Sequence, residues 1–127
     1  MRGASNATIT LESSQAKYGV ITHSSGNHGA ALSLAARNLG ISTSVVMPSN
    51  TPAIKQAAVN GYGGNIVFCE PTLDDRGKTA NKVQQETGAT MIHPYNNYRM
   101  IEGHGTALVE LLDEVADLEI IMAPIGG

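Results

Sequence analysis

Short runs rich in β-branched residues alternate along this chain with segments of helical period, and glycine or proline marks each switch. Gly19-Val20-Ile21-Thr22-His23, Ser42 to Met47, Asn65 to Cys69 and Thr90 to His93 read as strands. Between them, Ala30–Leu39, the stretch from Thr51 to about Asn60, and Leu73–Thr87 read as helices. Gly40 and Gly88 stop two of these helices. Thr51 is the expected N-cap of the second, with Pro52 at its first position. Asp74 and Asp75 sit in the first turn of the third, where the helix dipole favours acid. A last helix is expected over Gly105–Val115, with Leu108, Leu111, Leu112 and Val115 on one stripe. Glu119–Pro124 reads as a final strand, and Ser5–Gln15 as a weaker helix.

Strands joined by helices with short connections imply a parallel sheet covered on both faces. The expected fold class is therefore α/β. It is an open parallel sheet of about four to five strands flanked by helices in three layers, formed by residues 1–127 as a single unit. Open sheets of this kind bind ligands at the carboxyl ends of their strands. The Ser24–Gly29 loop, the Pro48–Thr51 loop, Pro94–Gly105 and Gly126-Gly127 fall on that edge.

Composition narrows the partners. A net charge of −3 supplies no basic face for nucleic acid, and an aromatic content of 4% supplies no stacking platform. No apolar run is long enough to cross a membrane. The lone cysteine, Cys69, cannot form an internal disulfide, which points to a reducing cytoplasm. It ends the apolar run Ile66-Val67-Phe68 and reads as a buried structural thiol. The four histidines show no zinc-site spacing, so no metal is expected. No Gly-x-Gly-x-x-Gly follows the first strand, and no Walker lysine pattern is present.

The chemistry concentrates in Ser24-Ser25-Gly26-Asn27-His28-Gly29, between the first strand and the first strong helix. A helix start offers free N–H groups and partial positive charge, which suit a carboxylate or phosphate. Ser24, Ser25 and Asn27 add side-chain donors, while Gly26 and Gly29 let backbone approach a ligand.

Thr22-His23-Ser24-Ser25-Gly26-Asn27-His28-Gly29 resembles the loop of the serine racemases and is similar to that of the threonine dehydratases. Both belong to the fold type II pyridoxal-phosphate enzymes. Arg2-Gly3-Ala4, Tyr62-Gly63, Cys69-Glu70-Pro71, His93-Pro94, Gly103-His104-Gly105-Thr106 and Pro124-Ile125-Gly126-Gly127 also fall at that family's spacings. The resemblance covers nearly the whole chain and implies the small domain of such an enzyme, with pyridoxal phosphate as cofactor and serine or threonine as substrate. It implies that Asn27 meets the ring hydroxyl of the cofactor, and that Gly126 and Gly127 contact its phosphate. Tyr95 stands where the family has a cofactor-side Asn, and His104 where Gln is usual. Ser24, Ser25, Gly26, Asn27 and His28 are implied to hold the substrate carboxylate. Ser25 is implied to be the acid/base opposite the cofactor-binding lysine.

That lysine precedes the Arg-Gly-Ala motif by two positions in the family, and here only Met1 precedes Arg2. The expectation is a piece of a longer enzyme, with residues 1–16 and 117–127 bordering the large domain, and inactive alone. Two alternatives stand beside it. One is a non-catalytic module that binds amino acids or anions. The other is a piece that self-associates through the surface left open by the large domain.

Overall fold

In the computed structural model, which describes residues 1–123, four of the β-branched runs form one parallel sheet. The strands are β1 (Val20–His23), β2 (Thr43–Pro48), β3 (Asn65–Cys69) and β4 (Thr90–Met91), in the order β3-β2-β1-β4. Six helices accompany them: α1 (Arg2–Ile9), α2 (Ser13–Ala16), α3 (Asn27–Asn38), α4 (Ala53–Gly61), α5 (Leu73–Thr87) and α6 (Tyr98–Glu114).

Alternation along the central strands divides the core. Val20, Val45 and Met47 turn toward α3 and α4, where Leu32 and Val59 are fully buried. Ile21 and Val46 turn the other way, onto Ala80 of α5. Each such aliphatic side chain contributes about 1.5–3 kcal/mol on burial, so the β1–β2 pair anchors the fold. Helices α1 and α6 form an outer pair against α3, with Ala4, Ala7 and Met100 buried between them.

The strand and helix over 65–69 and 73–87 lie where the sequence places them. Thr72 caps α5 by accepting the Asp75 N–H at 3.1 Å, and Gly88 closes it with φ +73°. Elsewhere the structure corrects the sequence reading. Helix α6 begins at Tyr98 rather than Gly105, capped by Asn97, whose side chain accepts from the Met100 N–H. Its interior Gly103 is a packing glycine: a Cβ there would stand 2.7 Å from Gly3 Cα, where α1 and α6 cross. The amino-terminal helix starts at Arg2 and breaks after Ile9, with α2 following, because that crossing holds its first turn. Arg2 forks onto Glu110, and Asn6 donates to the Arg99 carbonyl. Helix α4 is capped by Pro52, not Thr51. Strand β4 is two residues long and gives way before His93 and Pro94.

No strand forms over residues 119–123; Ile120 and Met122 are exposed there with no ladder partner. The expected fifth strand is thus absent among the described residues. Pro124 and the glycines Gly126 and Gly127 lie outside them.

Candidate active site

The correction that matters most for chemistry is the start of α3. It begins at Asn27, three residues before the sequence reading. Asn27, His28 and Gly29 therefore occupy its first turn, and their N–H groups have no preceding helical carbonyl to bond. Gly26, the N-cap, is buried, and its N–H donates to the Ser24 hydroxyl at 3.2 Å. The Ser24 N–H donates in turn to Val46 O, which ties the loop to the end of β2. Two glycines make this approach possible. A Cβ on Gly29 would meet Val45 Cγ1 at 2.8 Å, and one on Gly26 would meet Lys55 Cδ at 3.1 Å. Ser25 and Asn27 remain exposed.

Two adjoining cavities open beside this turn, and Pro94 borders both. The first, about 240 Å³, is lined by Asn27, His28, Ala31, Pro94, Met100 and His104, with Met1 and Ala4 of the amino terminus. The second, about 300 Å³, is lined by Ser24, Ser25, His23, Arg76, Leu73 and Tyr95. The loop therefore sends Asn27 into one cavity and Ser25 into the other. Tyr95 lines the cavity that holds Ser25. Gly26 lies in the loop between, and Gly126 and Gly127 fall outside the described residues.

All four histidines gather at this edge. His28 is half-buried, with Nε2 3.2 Å from the Ile92 carbonyl. His23 and His93 pack edge to face at 5.0 Å, and His93 meets Tyr95 the same way at 4.4 Å. Burial pushes the His28 imidazole below its ordinary value, and the neighbouring His104 adds to that, against the raising effect of the Ile92 hydrogen bond. Burial does the same to His23, helped by His93 and then Arg76.

A lowered histidine pKa means that the unfolded chain takes up protons the folded chain refuses. Stability from this source is complete above about pH 6.5 and is lost as pH falls from there toward the folded-state pKa. The urea midpoint is expected to drop between pH 7.5 and pH 5.5, and His28→Gln to flatten that dependence. An unchanged slope in the variant assigns the effect elsewhere.

Two residues of the site were not singled out from sequence. Lys55 is exposed on α4, yet its stem lies over Gly26 and brings Nζ beside the loop. Arg76 carried a readable signal. Leu73, Arg76, Ala80 and Val83 fall at spacings of three and four on α5, and Ala80 and Val83 face the sheet. A half-buried arginine on that inward stripe marks a polar opening in the core. Cys69 is buried, and its thiol is pushed up by burial and then by Asp75. No cluster of metal-ligating side chains occurs among the described residues.

The family profile described as "Pyridoxal-phosphate dependent enzyme" matches residues 1–127. A serine racemase of Arabidopsis thaliana is 48% identical over 126 residues, which is 99% of this chain and 38% of that protein. A beta-hydroxyaspartate dehydratase of Paracoccus denitrificans is 50% identical over 127 residues, all of this chain and 40% of that protein. The structure of maize serine racemase superposes with a TM-score of 0.91 at 45% identity, covering 93% of this chain and 36% of that one. The chain thus spans about two fifths of the length of the curated relatives it matches.

Proposed function

The chain belongs to the pyridoxal-phosphate dependent enzyme family, and on that premise we propose that it forms the small domain of a serine racemase or serine/threonine dehydratase. The observation that carries this reading is the first turn of α3, which presents free N–H groups between two cavities with Asn27 in one and Ser25 in the other.

Pyridoxal phosphate is the family's cofactor, and it makes the α-proton of a joined amino acid acidic by accepting electrons into its ring. The first cavity suits such a ring. Its walls are flat or small and apolar (Ala4, Ala31, Pro94, Met100), and Asn27 supplies an amide that has no other side-chain partner among the described residues. In this reading Asn27 meets the ring hydroxyl, and Gly126 and Gly127 meet the phosphate.

Asn27 and His28 hold the substrate carboxylate through N–H groups at the positive end of α3, and Ser24, whose own N–H is bonded to Val46 O, through its hydroxyl. Ser24 is braced for this by its bond from Gly26. Ser25, exposed at the rim, receives or returns a proton at the α-carbon. A serine hydroxyl is a weak base, and positive charge from Lys55 beside Gly26 assists its ionised form. Tyr95 closes the Ser25 side of the site.

Residues 1–16 and 117–127 border a larger domain in this reading. Leu108, Leu111, Leu112 and Val115 form an exposed apolar stripe on α6, which supports a covering partner there. None of the four lysines follows the family's lysine motif, and all are exposed. The 127 residues alone are therefore proposed to be inactive. The single buried cysteine supports a reducing compartment, the cytoplasm; no described helix is long and apolar enough to cross a membrane.

Titration of this chain with L-serine, followed by backbone amide NMR, tests the reading. Shifts confined to Ser24–Gly29 at millimolar serine are expected, and their absence overturns it. Borohydride reduction with pyridoxal phosphate is expected to label no single lysine preferentially.

A further inference from the structure

Nothing in α1 itself fixes where it begins. It has 8 residues, fewer than a helix needs to hold itself in water. Met1 supplies no side-chain cap, and no acid stands in the first turn. Arg2 puts a positive charge at the positive pole of the helix dipole. The support comes from α6. Arg2 Nη1 and Nη2 donate to the two carboxylate oxygens of Glu110 at 2.5 and 2.7 Å, a bidentate fork. Nη1 also donates to the Thr106 hydroxyl at 3.1 Å, and that hydroxyl donates to the Gly103 carbonyl at 2.9 Å. This run of bonds ends at the residue where α1 and α6 touch.

The other side of α1 faces the first cavity. Ala4 of α1, Met100 of α6, and Asn27 and Ala31 of α3 wall it together. Its width therefore depends on how closely the first turn of α1 is held. Neither Arg2 nor Glu110 lines that cavity. Their side chains are 47% and 61% accessible. The hydrogen bond between them, and then their opposite charges, push Arg2 up and Glu110 down, so both are ionised. An exposed pair of this kind adds little to global stability and weakens with salt. Its effect falls on the placement of a short, weakly held segment.

We propose that Glu110 is a positioning residue for this cavity: through Arg2 it sets the start of α1, and with it the Ala4 wall on which a pyridine ring lies. The proposal rests on reading the first cavity as the cofactor's. Without Glu110, Arg2 stands uncompensated at the helix pole, and the first turn of α1 opens more often. Ala4 then leaves the wall in a larger share of molecules. A ligand that needs the wall binds only the closed share, and its affinity falls by that fraction.

Pyridoxine carries the ring without aldehyde or phosphate, so it forms no imine and its binding reports the cavity alone. NMR titration of the chain with pyridoxine is expected to shift Asn27 and Ala31, and Glu110→Gln to weaken that binding about threefold. The urea midpoint of the variant moves by less than about 0.5 M. Amide exchange at Ser5, whose N–H donates to Met1 O at 2.9 Å, is expected to quicken more than at Val20 and Ser24, which are bonded to β2 and the residue before it. Salt at about 1 M brings the unaltered chain to the variant's affinity and leaves the variant unchanged. Arg2→Glu combined with Glu110→Arg remakes the pair with each charge at the pole that favours it, and is expected to regain the affinity. Lys78→Gln breaks an exposed pair on α5 and leaves pyridoxine binding as it was. Equal binding by the chain and Glu110→Gln, equal quickening at Ser5, Val20 and Ser24, or no recovery in the swapped variant overturns the positioning role and leaves the cavity reading standing. No shift at Asn27 with pyridoxine overturns both.

Discussion

Gly103→Ala is expected to destabilise the chain by about 3 kcal/mol, while Gly105→Ala, two residues along the same helix, stabilises it by about 0.5–1 kcal/mol. Both glycines lie inside α6, where helix propensity alone favours alanine. The difference lies in what each new methyl meets. At Gly103 it would stand 2.7 Å from Gly3 Cα, 2.8 Å from the Arg2 carbonyl and 2.9 Å from Asn6 Cβ. The first two are backbone atoms of α1, so the helix pair itself must separate. Separation uncovers Ala4, Ala7 and Met100, all 2% exposed or less, and pulls apart the Arg2–Glu110 fork. At Gly105 nothing lies within 4 Å. Urea unfolding of the two variants measures this directly: the midpoints are expected to move in opposite directions, by about 1.5 M downward for Gly103→Ala. Parallel movement of both midpoints contradicts the crossing geometry.

The same glycines explain where sequence reading stopped short. Glycine at 103 reads as a loop before a helix that starts at Gly105, because propensity is a local quantity, whereas Gly103 is set by a helix a hundred residues away. Strand β3 and helix α5 were legible because every signal agreed: a β-branched run, then acids in the first turn and Gly88 at the stop. The Ser24–Gly29 loop was legible as a strand-to-helix junction, but its split between two cavities was not. That split follows from Asn27 entering the helix while Ser25 stays outside it. Arg76 was hidden for a different reason. A charged residue in a polar helix looks solvated until Ala80 and Val83, four and seven residues on, are recognised as the side against the sheet. The run Glu119–Pro124 has a strand's composition, yet a strand needs a neighbour to pair with, and among residues 119–123 none is offered.

Ser25→Ala, in a polypeptide that completes the active site around this chain, is expected to lower racemisation by about 10²–10⁴-fold while KM stays within about threefold. Racemisation requires a proton to leave one face of the α-carbon and another to arrive on the opposite face. Ser25 is the only hydroxyl that the described residues place both on the cradle and at the open rim; Ser24 is buried and occupied by the Gly26 N–H. Substrate holding depends on backbone donors of α3 and survives the change, since alanine keeps Ser25's backbone. Elimination of a β-hydroxyl needs proton removal from one face only, so it is expected to fall far less than racemisation for the enantiomer whose proton the lysine face removes. The ratio of the two activities is therefore the sensitive reading. A structural defect in the loop lowers both together and raises KM, whereas loss of an acid/base group on one face separates them. Equal loss of both activities rules out Ser25 as the second-face group and returns it to the role of a loop residue that shapes the helix start.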